Sequence, residues 1–312
     1  MESQKPKIAM YVKRPFGEKL NASFDFIKEN WKQLFKYSTY LILPICLIQA
    51  ANFSGLMGSM TDITAMQASG GISDNPLAAL GPSFALNYAG VIFFSCLGAL
   101  LMTSLIYAMV RLYNEREERL NGIVFGDIKS LLLRNIKRLF LMGIACSFLF
   151  IFAVIFIVLL AVLTPFTLIL TIPLLFAFMV PLALMAPIYL FEDISLGEAF
   201  AKTFRLGFAT WGGVFLVLMV MGLIASVLQG IVSIRWYVIY IVQMIFTMSD
   251  GGATSSSVGL NFAQYLFSIL MLYGSYLSAI FGIVGLVYQY GHASEVVDSI
   301  TVESDIDNFD KL

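Results

Sequence analysis

The sequence predicts an all-α, polytopic membrane bundle of six transmembrane helices. Three observations predict it. Of the 312 residues, 59% are hydrophobic and 12% charged, with a mean hydropathy of +0.85, against about 25% charged in an ordinary soluble domain. The charges are separated by long gaps, and Lys and Arg fall almost wholly on one side of the implied membrane.

A charge at the bilayer centre costs at least ~2.5 kcal/mol, so spans read as gaps between charges. Lys36 to Asp62 encloses 25 uncharged residues, Asp74 to Arg111 36, Arg138 to Glu192 53, Arg205 to Arg235 29 and Asp250 to Glu295 44. A crossing helix needs ~20 residues. The third gap therefore holds two spans, turning at Thr164-Pro165, and each other gap holds one. The six fall at about Tyr37 to Met60, Phe84 to Val110, Leu139 to Leu163, Phe166 to Phe191, Trp211 to Val232 and Asn261 to Gln289. Residues 1–290 form a single membrane domain, and 291–312 an acidic tail summing to −5. The apolar segment 236–248, bracketed by Arg235 and Asp250, is too short to cross and is expected to lie in the outer interface or to re-enter.

With the N-terminus inside, 18 of 19 Lys and Arg residues are cytoplasmic and only Arg235 is external. The positive-inside rule therefore places both termini in the cytoplasm. Lys5, Lys7, Lys13 and Arg14 precede an amphipathic stretch rather than a short apolar core, so the first span is expected to act as the targeting signal. Cys46, Cys96 and Cys146 make no CxxC pair and read as packing residues.

An internal repeat organises the chain. Gly17, Glu18, Phe24, Trp31 and Phe35 align without a gap on Gly197, Glu198, Phe204, Trp211 and Phe215. Gly126, Asp127, Leu133 and Phe140 form a weaker third copy. Each copy reads as a cytoplasmic amphipathic elbow helix leading into a span, in pseudo-threefold units of about 15–110, 124–191 and 195–290. Leu20, Phe24, Ile27, Trp31 and Leu34 would form the apolar face that the first elbow buries at the lipid boundary. The acidic residue favours the positive end of the helix dipole, Ser195 with Glu198 fits a capping box, and the Trp suits headgroup level.

Chemistry is sparse. His292 is the sole histidine and reads as a solvated interfacial residue. No HExxH, P-loop or GxSxG motif occurs, and no carboxylate lies within a span. No catalytic residue, metal ligand, cofactor or nucleic-acid partner is expected. The uncharged polar residues Gln49, Asn52 and Gln229 and the kink-forming Pro173 and Pro181 are the candidate lining of a cavity, although such groups more often bond helix to helix. A non-catalytic scaffold or accessory component of a membrane assembly is the leading expectation. Its partners would be membrane lipids and proteins met through the elbows and tail. The alternative is an uncoupled conduit or carrier for a lipid or small amphipathic molecule.

The phrase Ser195-Leu196-Gly197-Glu198-Ala199-Phe200 through Thr203-Phe204-Arg205-Leu206 resembles the glycerophosphodiester phosphodiesterase membrane-domain family and its uncharacterised bacterial six-span relatives. In that family the catalytic activity belongs to a separate soluble barrel, for which this chain has no counterpart. The resemblance implies a six-span fold without the catalytic barrel, in the inner membrane of a Gram-negative bacterium of the Bacteroidota type.

Overall fold

The computed structural model describes residues 6–68, 81–249 and 258–301, with the side chains of 64–68 and 247–249 excepted. The acidic Asp74 and Asp250, residues 251–257 and residues 302–312 of the acidic tail lie outside the described residues. The described chain is helical: α1 (Phe16–Ala68), α2 (Pro82–Glu115), α3 (Phe125–Leu163), α4 (Thr167–Leu182), α5 (Met185–Phe191), α6 (Leu196–Ala209), α7 (Trp211–Ser249) and α8 (Val258–Val297). Six segments are long and apolar enough to cross a membrane: α1, α2, α3, α4 with α5, α7 and α8. This is a multi-pass membrane protein.

The helices form two compact units. The first comprises residues 1–34, 103–223 and 280–312, and so holds the start of α1, the end of α2, all of α3 to α6, the start of α7 and the end of α8. Its core is aromatic. Phe26 sits edge-on to Tyr113 at 5.1 Å, and Phe191 stacks on Tyr290 at 6.0 Å. The N-terminal segment before α1 belongs to this core: Met10 is buried, the Ile8 N–H donates to the Tyr113 hydroxyl at 3.3 Å, and the Arg14 N–H donates to His292 Nδ1 at 3.0 Å. His292 is therefore a tether for the N-terminal segment rather than a solvated side chain.

The second unit comprises residues 35–102 and 224–279. Glycines let its helices approach closely. The place of a Cβ on Gly90 is taken by the Asn52 amide, that on Gly55 by Asn87, and that on Gly274 by Val232. Small residues at such contacts are how helices associate where lipid removes the hydrophobic drive between them.

Two expectations change. Residues 236–248 are no separate interfacial or re-entrant element, because α7 continues unbroken to Ser249. Arg235 points outward and does not end the helix, since a long cationic side chain at a helix surface can reach the polar boundary. Trp236, next to it, is buried against Phe53 and Tyr240.

The elbow segments at Gly17 and Gly126 are the opening turns of the long helices α1 and α3, and only the one at Gly197, α6, stands as a helix of its own, set off from α7 at Thr210. The first elbow also has an inward face of its own. Lys19, Ala22, Ser23, Phe26, Asn30 and Leu34 face inward, while Trp31 is 54% exposed. Ser23 and Asn30 satisfy their side chains on carbonyls of their own helix, and Lys19 donates to Gln289 Oε1 at 2.8 Å. Polar residues with partners can therefore occupy the interior while apolar ones face outward, the inverse of the soluble pattern.

Candidate functional site

The first unit gathers the charged side chains. At its centre lies the loop Glu192-Asp193-Ile194 between α5 and α6, with Asp193 in the left-handed region at φ 58°. Arg111 from α2 and Arg134 and Arg138 from α3 all pair with the Asp193 carboxylate. Arg111 also pairs with Glu115 at 2.8 Å. Arg138 donates to the carbonyls of Tyr189 and Ile194 at 2.6 and 2.8 Å and lies over the Tyr189 ring at 4.0 Å. These bonds fix the loop from both sides.

A second group joins α5, α6 and α8. Lys202 lies 2.7 Å from both Glu192 and Asp298, Arg205 pairs with Asp298 at 2.7 Å, and the Tyr290 hydroxyl donates to Glu192 at 2.7 Å. Burial works against the Lys202 charge, but hydrogen bonds to Asp298 and Glu192 outweigh it and hold its pKa above the ordinary value.

The remaining feature is a cleft of about 620 Å³ lined by Pro6 and Ile8, by Asp25, Lys28, Glu29 and Asn30 of α1, and by Arg119 and Asn121 of the α2–α3 connection. One wall is a fixed pair: Arg119 bonds Glu29, which also accepts from the Tyr113 hydroxyl at 3.2 Å. Asp25 and Lys28, three residues apart on one helix face, have no hydrogen-bond or ion-pair partner among the described residues and stand exposed at the cleft. Neither residue had been singled out by sequence. The only available signal was their place on the polar side of the first elbow.

The elbow positions have distinct surroundings. Glu198 and Ser195 form a complete capping box: the Ser195 N–H donates to Glu198 Oε2 at 2.9 Å, and the Glu198 N–H to Ser195 Oγ at 3.3 Å. The Ser195 amide, and then its hydroxyl, hold the Glu198 carboxyl below the ordinary range. Asp127 makes half of such a box, accepting from the Val124 N–H at 3.2 Å and pairing with Arg116 at 2.9 Å, since Val124 has no oxygen to return the bond. Glu18 lies in the first turn of α1. Gly17, Gly126 and Gly197 have open space where a Cβ would go. Phe24 packs on Phe281 at 5.9 Å, and Phe204 on Phe178 and Phe200 at 5.8 and 4.9 Å.

Trp211 has a role the repeat did not suggest. Its indole N–H donates to the Ala177 carbonyl at 2.9 Å, and its ring stacks on Phe215 at 5.3 Å. Ala177 is four residues before Pro181, which has no N–H to give it. The indole supplies the missing donor. Gly207 seats the same kink, because a Cβ there would lie 2.5 Å from the Pro181 side chain. Pro173 is exposed whereas Pro181 is buried, so the two do not share one lining.

In the second unit Gln49 is buried and joins three helices. Its amide donates to Ser95 Oγ of α2 at 2.7 Å, and its carbonyl accepts from the Tyr276 hydroxyl of α8 at 2.9 Å. Asn52 donates to the Ile48 carbonyl at 3.0 Å, and Gln229 is exposed. Among the described residues, no group of three or more His, Cys, Asp or Glu side chains is placed to hold a metal ion. Comparison of the chain with protein-family models, with curated proteins and with solved structures finds no match.

Proposed function

We propose that this chain is a non-catalytic scaffold or accessory component of a membrane assembly, held in a bacterial inner membrane with both termini and the charged loops of its first unit on the cytoplasmic side. The observation that carries the proposal is the cleft at Asp25 and Lys28. Arg111, Arg116, Arg119, Arg134, Arg138, Lys202 and Arg205 are all engaged in ion pairs within the unit, whereas these two opposite charges are left open beside a cleft of about 620 Å³. A polar cleft carrying both signs suits charged side chains of a protein partner better than an apolar substrate. Glu18, Asp127 and Glu198 each fall in the first turn of a helix, which supports the pseudo-threefold elbow arrangement and the family resemblance. The carrier alternative has less support, because Gln49 is fully engaged between helices and Gln229 faces outward.

The test is affinity purification from native membranes, comparing the wild-type chain with the Asp25→Asn/Lys28→Gln double variant at equal protein level. A protein recovered with the wild type should fall about tenfold in the variant, the scale of one or two hydrogen bonds to charged groups. Equal recovery would remove the cleft as the docking point.

The orientation has its own expected result. In a variant whose three native cysteines are replaced by serine, Ser299→Cys, just beyond α8, should resist an impermeant thiol reagent in intact cells and react after lysis. Labelling of intact cells would overturn the cytoplasmic assignment.

A further inference from the structure

We infer that Arg111, Arg134 and Arg138 form a binding site for a phosphate group presented at the membrane face, with Asp193 as a built-in competitor for it. Three guanidinium groups meet one carboxylate, and with Glu115 as the only other acid paired to them among the described residues the cluster keeps a net charge of +1 (three cations less two anions). Each guanidinium carries five N–H donors in a planar fork suited to phosphate. Their capacity is not used up. Asp193 is the one partner of Arg134 among the described residues, and Arg138 Nε is buried with no hydrogen-bond partner.

Position supports a lipid source for the phosphate. Leu141 and Phe148 follow Arg134 at intervals of seven residues, close to two helical turns each, so they continue its stripe along α3. They are 48% and 70% exposed. A headgroup phosphate on Arg134 would thus have its acyl chains beside an apolar surface already facing outward. Basic pockets between transmembrane helices at the cytoplasmic face are suited to anionic headgroups. The Asp193 carboxylate occupies the position that a phosphate oxygen would take, and its removal should open the site. The inference is independent of the cleft at Asp25 and Lys28.

Native mass spectrometry of the full chain in an uncharged maltoside detergent, with equimolar dioleoyl phosphatidate and dioleoyl phosphatidylcholine, tests it. The wild type should retain phosphatidate in preference to phosphatidylcholine. Asp193→Asn, which keeps the shape and tolerates the left-handed backbone, should bind phosphatidate about tenfold more tightly, and Arg134→Gln about tenfold more weakly, the scale of one hydrogen bond to a charged group. Lys137→Gln removes the same charge nearby and should change nothing. Inorganic phosphate added as competitor distinguishes the sources: displacement at comparable concentration identifies a free phosphate ligand, and persistence of the lipid identifies the headgroup. Equal affinity in wild type and Arg134→Gln, or no tightening in Asp193→Asn, would overturn the site.

Discussion

Trp211→Ala should lower the thermal stability of the detergent-solubilised protein more than any single change at an elbow carboxylate. Two losses combine. Removing a large packed ring costs on the order of 3 kcal/mol, and the Ala177 carbonyl, whose helical partner is abolished by Pro181, loses the indole donor and is left unsatisfied at a further ~1 to 3 kcal/mol. Trp211→Phe separates the two by keeping a ring that can stack on Phe215 while deleting the hydrogen bond. It should fall between wild type and Trp211→Ala. Glu198→Gln should have only a small effect, because Gln can still accept from the Ser195 amide at the third position of the capping box. Melting curves of the four proteins in one detergent check the ranking. If Glu198→Gln were as destabilising as Trp211→Ala, the indole would be an interfacial ring without a structural bond and the carboxylate more than a cap.

The spans were legible because their signal is energetic and local. Lipid excludes charge, so the gap ending at Glu192 and the turn at Thr164-Pro165 both reappear as helix boundaries. The Ser195 and Glu198 box was legible for the same reason, since both partners lie within one turn. What sequence could not reveal depends on long-range pairing. Arg235 looked like a boundary only because its outward direction is set by the packing of Trp236. The inward face of the first elbow was not legible, because it includes Lys19, Ser23 and Asn30, polar residues that a periodicity of apolar side chains does not mark. The convergence of Arg111, Arg134 and Arg138 on Asp193 joins positions up to 82 residues apart. The pairing of Trp211 with Ala177 likewise spans 34 residues. Neither distance leaves a local mark.

Gly291→Ala should release the N-terminal segment from the first unit while leaving the transmembrane helices in place. An ideal Cβ on Gly291 would lie 2.1 Å from the Met10 carbonyl oxygen and 2.8 Å from its carbon, and backbone on both sides leaves no flexible side-chain end to yield. The segment must therefore lift, at a cost on the order of 1 to 3 kcal/mol typical of overpacking. With it would go the seat of Met10, the bond from the Ile8 amide to Tyr113 and the bond from the Arg14 amide to His292. Pro6 and Ile8 also form one wall of the cleft, so the same change should open the proposed docking site without touching Asp25 or Lys28. Hydrogen exchange measured by mass spectrometry provides the readout: peptides covering residues 6–15 should lose protection in Gly291→Ala, while those of α3 and α4 keep theirs. His292→Ala, which removes one acceptor and adds no atom against the segment, should show a smaller loss of protection over the same residues. Were residues 6–15 equally protected in wild type and Gly291→Ala, the N-terminal segment would have no fixed seat on α8, and the cleft would lack that wall.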